Sequence, residues 1–346
     1  MRSMMTTTAT IDTKITGEFR AATERAAVFP SNAGRLRLTG EDARDLLNRL
    51  STNLVDPDGA AGEVAVTVLT SDRGRIVDLV YVAHCGDHQL MLTSPGQQQN
   101  VIEFLDKYTI MEDLEVEDVT ADTVMLTLAG PQASAILDSV DGIDAMRVAL
   151  PADPDDADHP ATYQLICSDL DTANQVRAAL ESAGAVSISA PTAEALRIAS
   201  GQPAYGSEMS DTYNPLEAGL IGAIDFHKGC YIGQEVIARL DTYHKVQKYL
   251  VTLRFESDGG DASEAASTLP GARLTDDAGD AMGLVTSATV VPTAEGADLI
   301  GLGYVRTRAL EVGGRFGVES EDVDGMSAVI TAQPLLFGGE KPGLRG

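Results

Sequence analysis

The chain has no tryptophan, only 5% aromatic residues, and just six lysines: Lys14, Lys107, Lys228, Lys245, Lys248 and Lys341. With 52 acidic residues against 25 basic ones the formal net charge is −27, so most of the surface repels nucleic acid and anionic membranes, and direct binding of either is not expected. Few lysines and many acids match a protein kept soluble in a salt-rich cytoplasm, where screening over a few ångströms tolerates self-repulsion. The acidity therefore reads as habitat rather than function. Three widely spaced cysteines, Cys85, Cys167 and Cys230, indicate neither a disulfide framework nor a Cys-x-x-Cys metal site, and a reducing cytoplasm fits them. No stretch approaches the ~20 apolar residues of a membrane span, and the first residues lack a signal-peptide core.

Other signals are missing too. There is no Walker A loop, and Gly301 to Arg306 carries two glycines of a dinucleotide motif but not the third. The five histidines show no metal-ligand spacing, and no Gly-x-Ser-x-Gly elbow occurs. The polar run Asp153 to Pro160 reads as a solvated loop rather than a cation site.

Against this acidic background, residues 225–254 stand out. They hold Lys228, Arg239, Lys245, Lys248 and Arg254 against Asp225, Glu235 and Asp241. A locally positive stretch suggests an anionic ligand, a carboxylate or phosphate; ordinary ion pairs along a helix edge are the alternative. Inside it, residues 228–235 read KGCYIGQE. They place Lys228 and Cys230 at the expected start of a short helix, where a nearby cation and the helix dipole lower a thiol's pKa. Gly229 and Gly233 suit turns that a Cβ disfavours. A buried, inert cysteine is the competing reading.

At 346 residues the chain is long enough for two or three domains. Leu38 to Asp42 followed by Ala43, Leu46, Leu47 and Leu50 predicts a capped amphipathic helix. Residues 64–70 and 76–83 flank the turn Ser71 to Gly74 as a hairpin, and 89–93 adds a strand. Helical patterns follow at 96–107, 131–139, 171–184 and 191–200, with β-rich segments at 123–129 and 162–168. The mixture lacks a regular βαβ rhythm, so the fold class expected is α+β. From about residue 246, six short β-rich runs alternate with Gly, Asp and Ser turns, predicting a small barrel or sandwich, with 256–267 as an exposed loop.

The motifs carry a resemblance. KGCYIGQE resembles the signature of the YgfZ-type folate-binding proteins, relatives of the glycine-cleavage T-protein (aminomethyltransferase) superfamily. Leu38 to Ala43 with Leu50 to Asn53, Asp72 to Asp78, Leu128 to Ala133, and Asn214 to Gly219 resemble further superfamily segments in the expected order. The resemblance implies an α+β ring of three domains around a central folate channel. Residues 1–245 would form the folate-binding region, with a second α+β subdomain at about 120–190, and residues 246–346 a C-terminal β-barrel. It implies tetrahydrofolate, or a one-carbon derivative, as cofactor. Glu217 would hold the pterin, with Asn53 and Arg197 also contributing, while Arg239 and Lys248 would meet the glutamate tail. Cys230, Lys228 and Asp78 would carry any chemistry. Where the T-protein has an acidic pair this chain has Val77 and Asp78, and where it has Phe-Val-Gly-Lys this chain has the cysteine-containing octet. Two functions then compete: an accessory protein that supports iron–sulfur cluster assembly or repair through client or assembly proteins, and an aminomethyltransferase moving a one-carbon unit to tetrahydrofolate.

Overall fold

The structure, a computed structural model, describes residues 13–56, 58–151, 161–257, 262–320 and 325–337. The chain begins with α1 (Thr13–Glu24), β1 (Ala27–Pro30), β2 (Gly34–Thr39) and α2 (Ala43–Leu50). The hairpin β3 (Val64–Thr70) and β4 (Ile76–His84) follows, then β5 (Gln89–Thr93), α3 (Gln98–Tyr108) and β6 (Glu115–Asp118). Next come β7 (Val124–Ala129), α4 (Ala133–Ser139), β8 (Met146–Ala149), β9 (Thr162–Cys167), α5 (Leu170–Ser182), β10 (Val186–Ser187) and α6 (Ala190–Ala199). A mostly irregular segment leads through α7 (Gln234–Thr242) to β11 (Lys248–Ser257), α8 (Ala262–Thr268), β12 (Arg273–Thr275), β13 (Ala281–Thr293), β14 (Gly296–Arg306), β15 (Arg315–Glu319) and β16 (Met326–Ala332).

The α+β class is as expected, and these elements form three sheets. The first, in order β3-β4-β5-β2-β6, is antiparallel throughout. Its core is sealed by α2, whose Ala43, Leu46, Leu47 and Leu50 recur at helical spacing and are buried, each leucine stabilising by about 1.5–3 kcal/mol. The helix read from Ala43, Leu46, Leu47 and Leu50 runs Ala43–Leu50, while Leu38 and Thr39 ahead of it end β2, paired with β5 and β6. Asp42, at the N-cap, turns its carboxylate to the amide of Asp113 at 2.8 Å rather than to its own helix.

The second sheet, β10-β1-β7-β9-β8, takes β1 from the N-terminal stretch, so the unit expected at about 120–190 is not contiguous in sequence. The run Asp153 to Pro160 lies outside the described residues.

The third sheet is a closed six-stranded barrel, β11-β14-β13-β12-β15-β16, completed by pairing of β11 with β16. Period-two alternation along β11 points Val251, Leu253 and Phe255 into the barrel core. Leu250 faces the other way, packing with Ile198 of α6 and with Leu302 and Tyr304 of β14. The exposed loop expected at 256–267 contains α8 instead. Its Ala262, Ala265 and Ala266 pack on the barrel core, where a strong helix former with little bulk fits.

Candidate functional site

The segment between α6 and α7 is stitched to the hairpin and the barrel by backbone hydrogen bonds. The amide of Ile76 donates to Tyr213 O at 3.0 Å, and that of Leu250 to Glu217 O at 2.9 Å. Within this frame Asn214 and Glu217 bond reciprocally. The Asn214 amide donates to Glu217 Oε2 at 3.1 Å, and the Glu217 amide to Asn214 Oδ1 at 3.0 Å. The Glu217 carboxylate is thereby held in the interior, only 5% exposed.

Two cations face it from different elements. Arg75, from the hairpin, brings Nη1 to 3.6 Å from Glu217 Oε2 and also donates to Thr212 O at 2.8 Å. Lys248, at the start of β11, sits 4.1 Å from the ring centre of Tyr213 and 5.2 Å from that of Tyr304. These rings stack at 4.1 Å with 9° between planes, so the ammonium lies over π-faces that attract it. Burial raises the Glu217 pKa, against the Asn214 amide and the attraction of Lys248 and Arg75. Burial lowers that of Lys248, against Glu217, with Arg75 adding to the lowering. Both shifts point toward the neutral forms: desolvation outweighs the mutual attraction, and the charges here are incompletely compensated.

Asp78, on β4, has no exposed surface. Its Oδ1 accepts from the Leu79 amide and its Oδ2 from the Ser94 amide, both at 2.9 Å. Burial lifts its pKa to about 6, although these hydrogen bonds pull the other way. Its charge also helps to raise the pKa of Tyr205, secondarily to that tyrosine's own burial.

The helix expected after Gly233 starts at Gln234, capped by Gly233 at φ 84°, and Lys228 and Cys230 lie in the loop ahead of it rather than at its first turn. Gly233 meets the expected need: a Cβ there would collide with Ser71 O at the hairpin turn. Gly229 does not have a positive φ. The Lys228 ammonium donates to the carbonyls of Asn48, Ser51 and Asn53 at 2.7, 2.9 and 2.6 Å. It thus caps the C-terminal end of α2, where the dipole is negative. Burial lowers its pKa to about 8, with Asp225 opposing. The three carbonyls favour the charged form as well, and it stays an ammonium at neutral pH. All three protons are committed, so Lys228 positions the loop rather than activating a thiol. Cys230 is exposed, not buried.

Arg197 is likewise committed to the protein. It donates to both Glu194 carboxylate oxygens, to Gln202 O, to Glu208 Oε2 at 3.0 Å and to Ser287 Oγ at 3.1 Å. Glu208, fully buried, also accepts from the Ala204 amide and the hydroxyls of Thr286 and Ser287. The pair bolts α6 to the barrel. Arg239 is on an exposed face of α7, paired with Glu235 at 2.6 Å. Asn53 donates to Val66 O, accepts from the Leu54 amide, and lines a cavity of about 600 Å³. The basic stretch 225–254 is therefore not one patch: Lys228 caps a helix, Arg239 and Arg254 pair with glutamates, and Lys248 lies beside Glu217.

Of the residues named from sequence, the structure brings together Glu217 and Lys248. It adds Arg75, Tyr213 and Tyr304, which sequence reasoning missed. Arg75 lies inside the motif Asp72 to Asp78 and Tyr213 directly precedes Asn214, so proximity to those motifs was the available signal for both.

A family model for the GCVT N-terminal domain matches residues 5–152. Over 323 residues, 88% of this chain and 70% of the relative, the sequence is 30% identical to a chloroplastic protein of Arabidopsis thaliana named provisionally as a transferase. It is 27% identical to an aminomethyltransferase of Picosynechococcus over 87% of this chain and 84% of that one. The crystal structure of the glycine cleavage system aminomethyltransferase T from Bartonella henselae shares the fold, with a TM-score of 0.74 at 18% identity, covering 93% of this chain and 90% of that one. Matching in sequence over most of its length and in fold, this chain belongs to the glycine-cleavage T-protein, aminomethyltransferase-like superfamily.

Proposed function

We propose that this is a tetrahydrofolate-binding accessory protein of the YgfZ type, working in a salt-rich cytoplasm in support of iron–sulfur cluster assembly or repair. The observation that carries the folate reading is the Glu217 carboxylate: buried, aligned by Asn214, and with Oε1 accepting no hydrogen bond among the described residues. A carboxylate presenting an open acceptor edge in the interior suits the paired N–H donors of a pterin. Arg75 and Lys248 oppose the rise in its pKa that burial imposes, and the stacked Tyr213 and Tyr304 supply an aromatic wall. When bound, the folate supplies the capacity to carry a one-carbon unit. Titrating tetrahydrofolate against wild type and Glu217→Ala tests this reading, and equal affinities defeat it.

The accessory role is favoured over transfer by the state of Asp78. With Val77 beside it and both oxygens held by backbone amides, it has little freedom to exchange protons with a substrate. Cys230 then offers an exposed thiol, and any cluster belongs to client proteins. Aminomethyl transfer is the second reading, favoured by relatives that bear that name. Release of ammonia from an aminomethylated lipoyl carrier protein on addition of tetrahydrofolate would establish it.

A further inference from the structure

A second constellation lies at the cavity of about 600 Å³ beside the first sheet. Arg44 on α2 donates through Nη1 to the carbonyls of Asp56 and Gly59, at 3.0 and 3.1 Å, which fixes the plane of its guanidinium. Its Nη2 lies 2.9 Å from Nε2 of His84, the last residue of β4. Because a guanidinium only donates, His84 Nε2 must accept, so the ring is neutral and carries its proton on Nδ1. Nδ1 is 3.0 Å from Nε2 of the Gln89 side-chain amide, and the amide orientation with its oxygen toward the ring is the one that accepts that proton. Gln89 is 5% exposed, so the relay is anchored in the sheet.

Two guanidinium protons, on Nε and Nη2, have no partner among the described residues, and together these atoms offer the side-on edge that binds a carboxylate bidentately. The wall next to Arg44 is apolar, built from Val55, Val64, Val66, Val82 and Phe337. Asp56 and Glu63 also line the cavity, and neither forms an ion pair with Arg44 among the described residues. Their negative charge opposes an anion of higher charge more strongly than a monocarboxylate.

We propose that this cavity binds a carboxylate with an apolar body: the carboxylate on the Nε/Nη2 edge of Arg44, the body against the valines and Phe337. The site is built without Glu217, and the proposal does not rest on the folate reading.

Calorimetric titration of the full chain with 4-phenylbutyrate, its amide, 4-phenylbutylamine and inorganic phosphate tests it. The acid should bind about tenfold tighter than the amide or the amine, the scale of one charge-assisted hydrogen-bond pair. Phosphate should give no binding heat. Arg44→Gln should reduce the acid to the affinity of the amide, while Glu217→Gln should leave it within about twofold. If Arg44→Gln does not fold, His84→Phe, which removes the acceptor orienting Nη2, should still weaken the acid severalfold. Absence of acid binding, equal binding of acid and amide, phosphate binding as tight as the acid, insensitivity to both variants, or loss of binding in Glu217→Gln each overturns the proposal.

Discussion

Two buried carboxylates, Glu208 and Glu217, lie in the same segment and have opposite surroundings. Glu208 accepts four hydrogen bonds, from Arg197, the Ala204 amide, Thr286 and Ser287. Among the described residues Glu217 accepts one, from Asn214, with Arg75 at 3.6 Å and Lys248 farther off. A buried charge with every lone pair occupied can only hold structure together, whereas one left half-satisfied retains capacity for a ligand. Being charged and buried is thus common to both, and the completeness of the hydrogen-bond shell separates the bolt from the binding group.

Substitution should break the two differently. Glu208→Ala removes the buried carboxylate partner of Arg197, leaving it only Glu194 as carboxylate partner, and leaves three other donors unmet, so a loss of about 3–5 kcal/mol is expected, read by denaturant unfolding. Glu217→Ala should cost far less stability, and similar losses would erase the distinction.

Asp78 extends the comparison to pH. With a folded pKa of about 6 against an ordinary 3.8, the folded state holds its proton more tightly than the unfolded one. Its contribution is therefore fully present below about pH 4 and is lost as pH rises through about 6, an amount near 3 kcal/mol. Relative to Asp78→Asn, which cannot titrate, wild-type stability should fall across that window. A parallel pair of pH profiles would refute the assignment. For tetrahydrofolate, Glu217→Ala should lower affinity by ~1.5–3 kcal/mol, measured by titration. The smallest effect on the fold is expected at Cys230, which is exposed: Cys230→Ala should shift stability by less than about 0.5 kcal/mol and leave folate affinity unchanged. Client iron–sulfur enzyme activity should nevertheless drop, and unaltered activity would remove the thiol from the proposal.

Much of the fold was legible because its signals are local. The alternation from Val64 to Thr70 and from Ile76 onward, split by a glycine turn, specifies the β3–β4 hairpin. The six runs after residue 246 became the six barrel strands. Short edges such as β8 and β10 were missed, since so few residues carry little periodicity. In the site, Glu217 stood inside a recognisable motif, but Lys228 was misassigned. Its charge suggested a partner nearby in sequence, while its real acceptors are carbonyls of residues 48, 51 and 53.

The order of polar and apolar residues by itself determined the mixed fold class, most element positions and a β-rich C-terminal region, barrel or sandwich, while the motifs carried the resemblance to the superfamily. Hydrophobic periodicity and turn chemistry act over a few residues, and motifs are written in line. Only the tertiary structure decided which charges are spent. Whether Arg197, Lys228 or Glu217 keeps a free hydrogen-bonding edge depends on groups tens to hundreds of residues away, and desolvation, which tips Glu217 and Lys248 toward neutrality, exists only once the three sheets have closed around them.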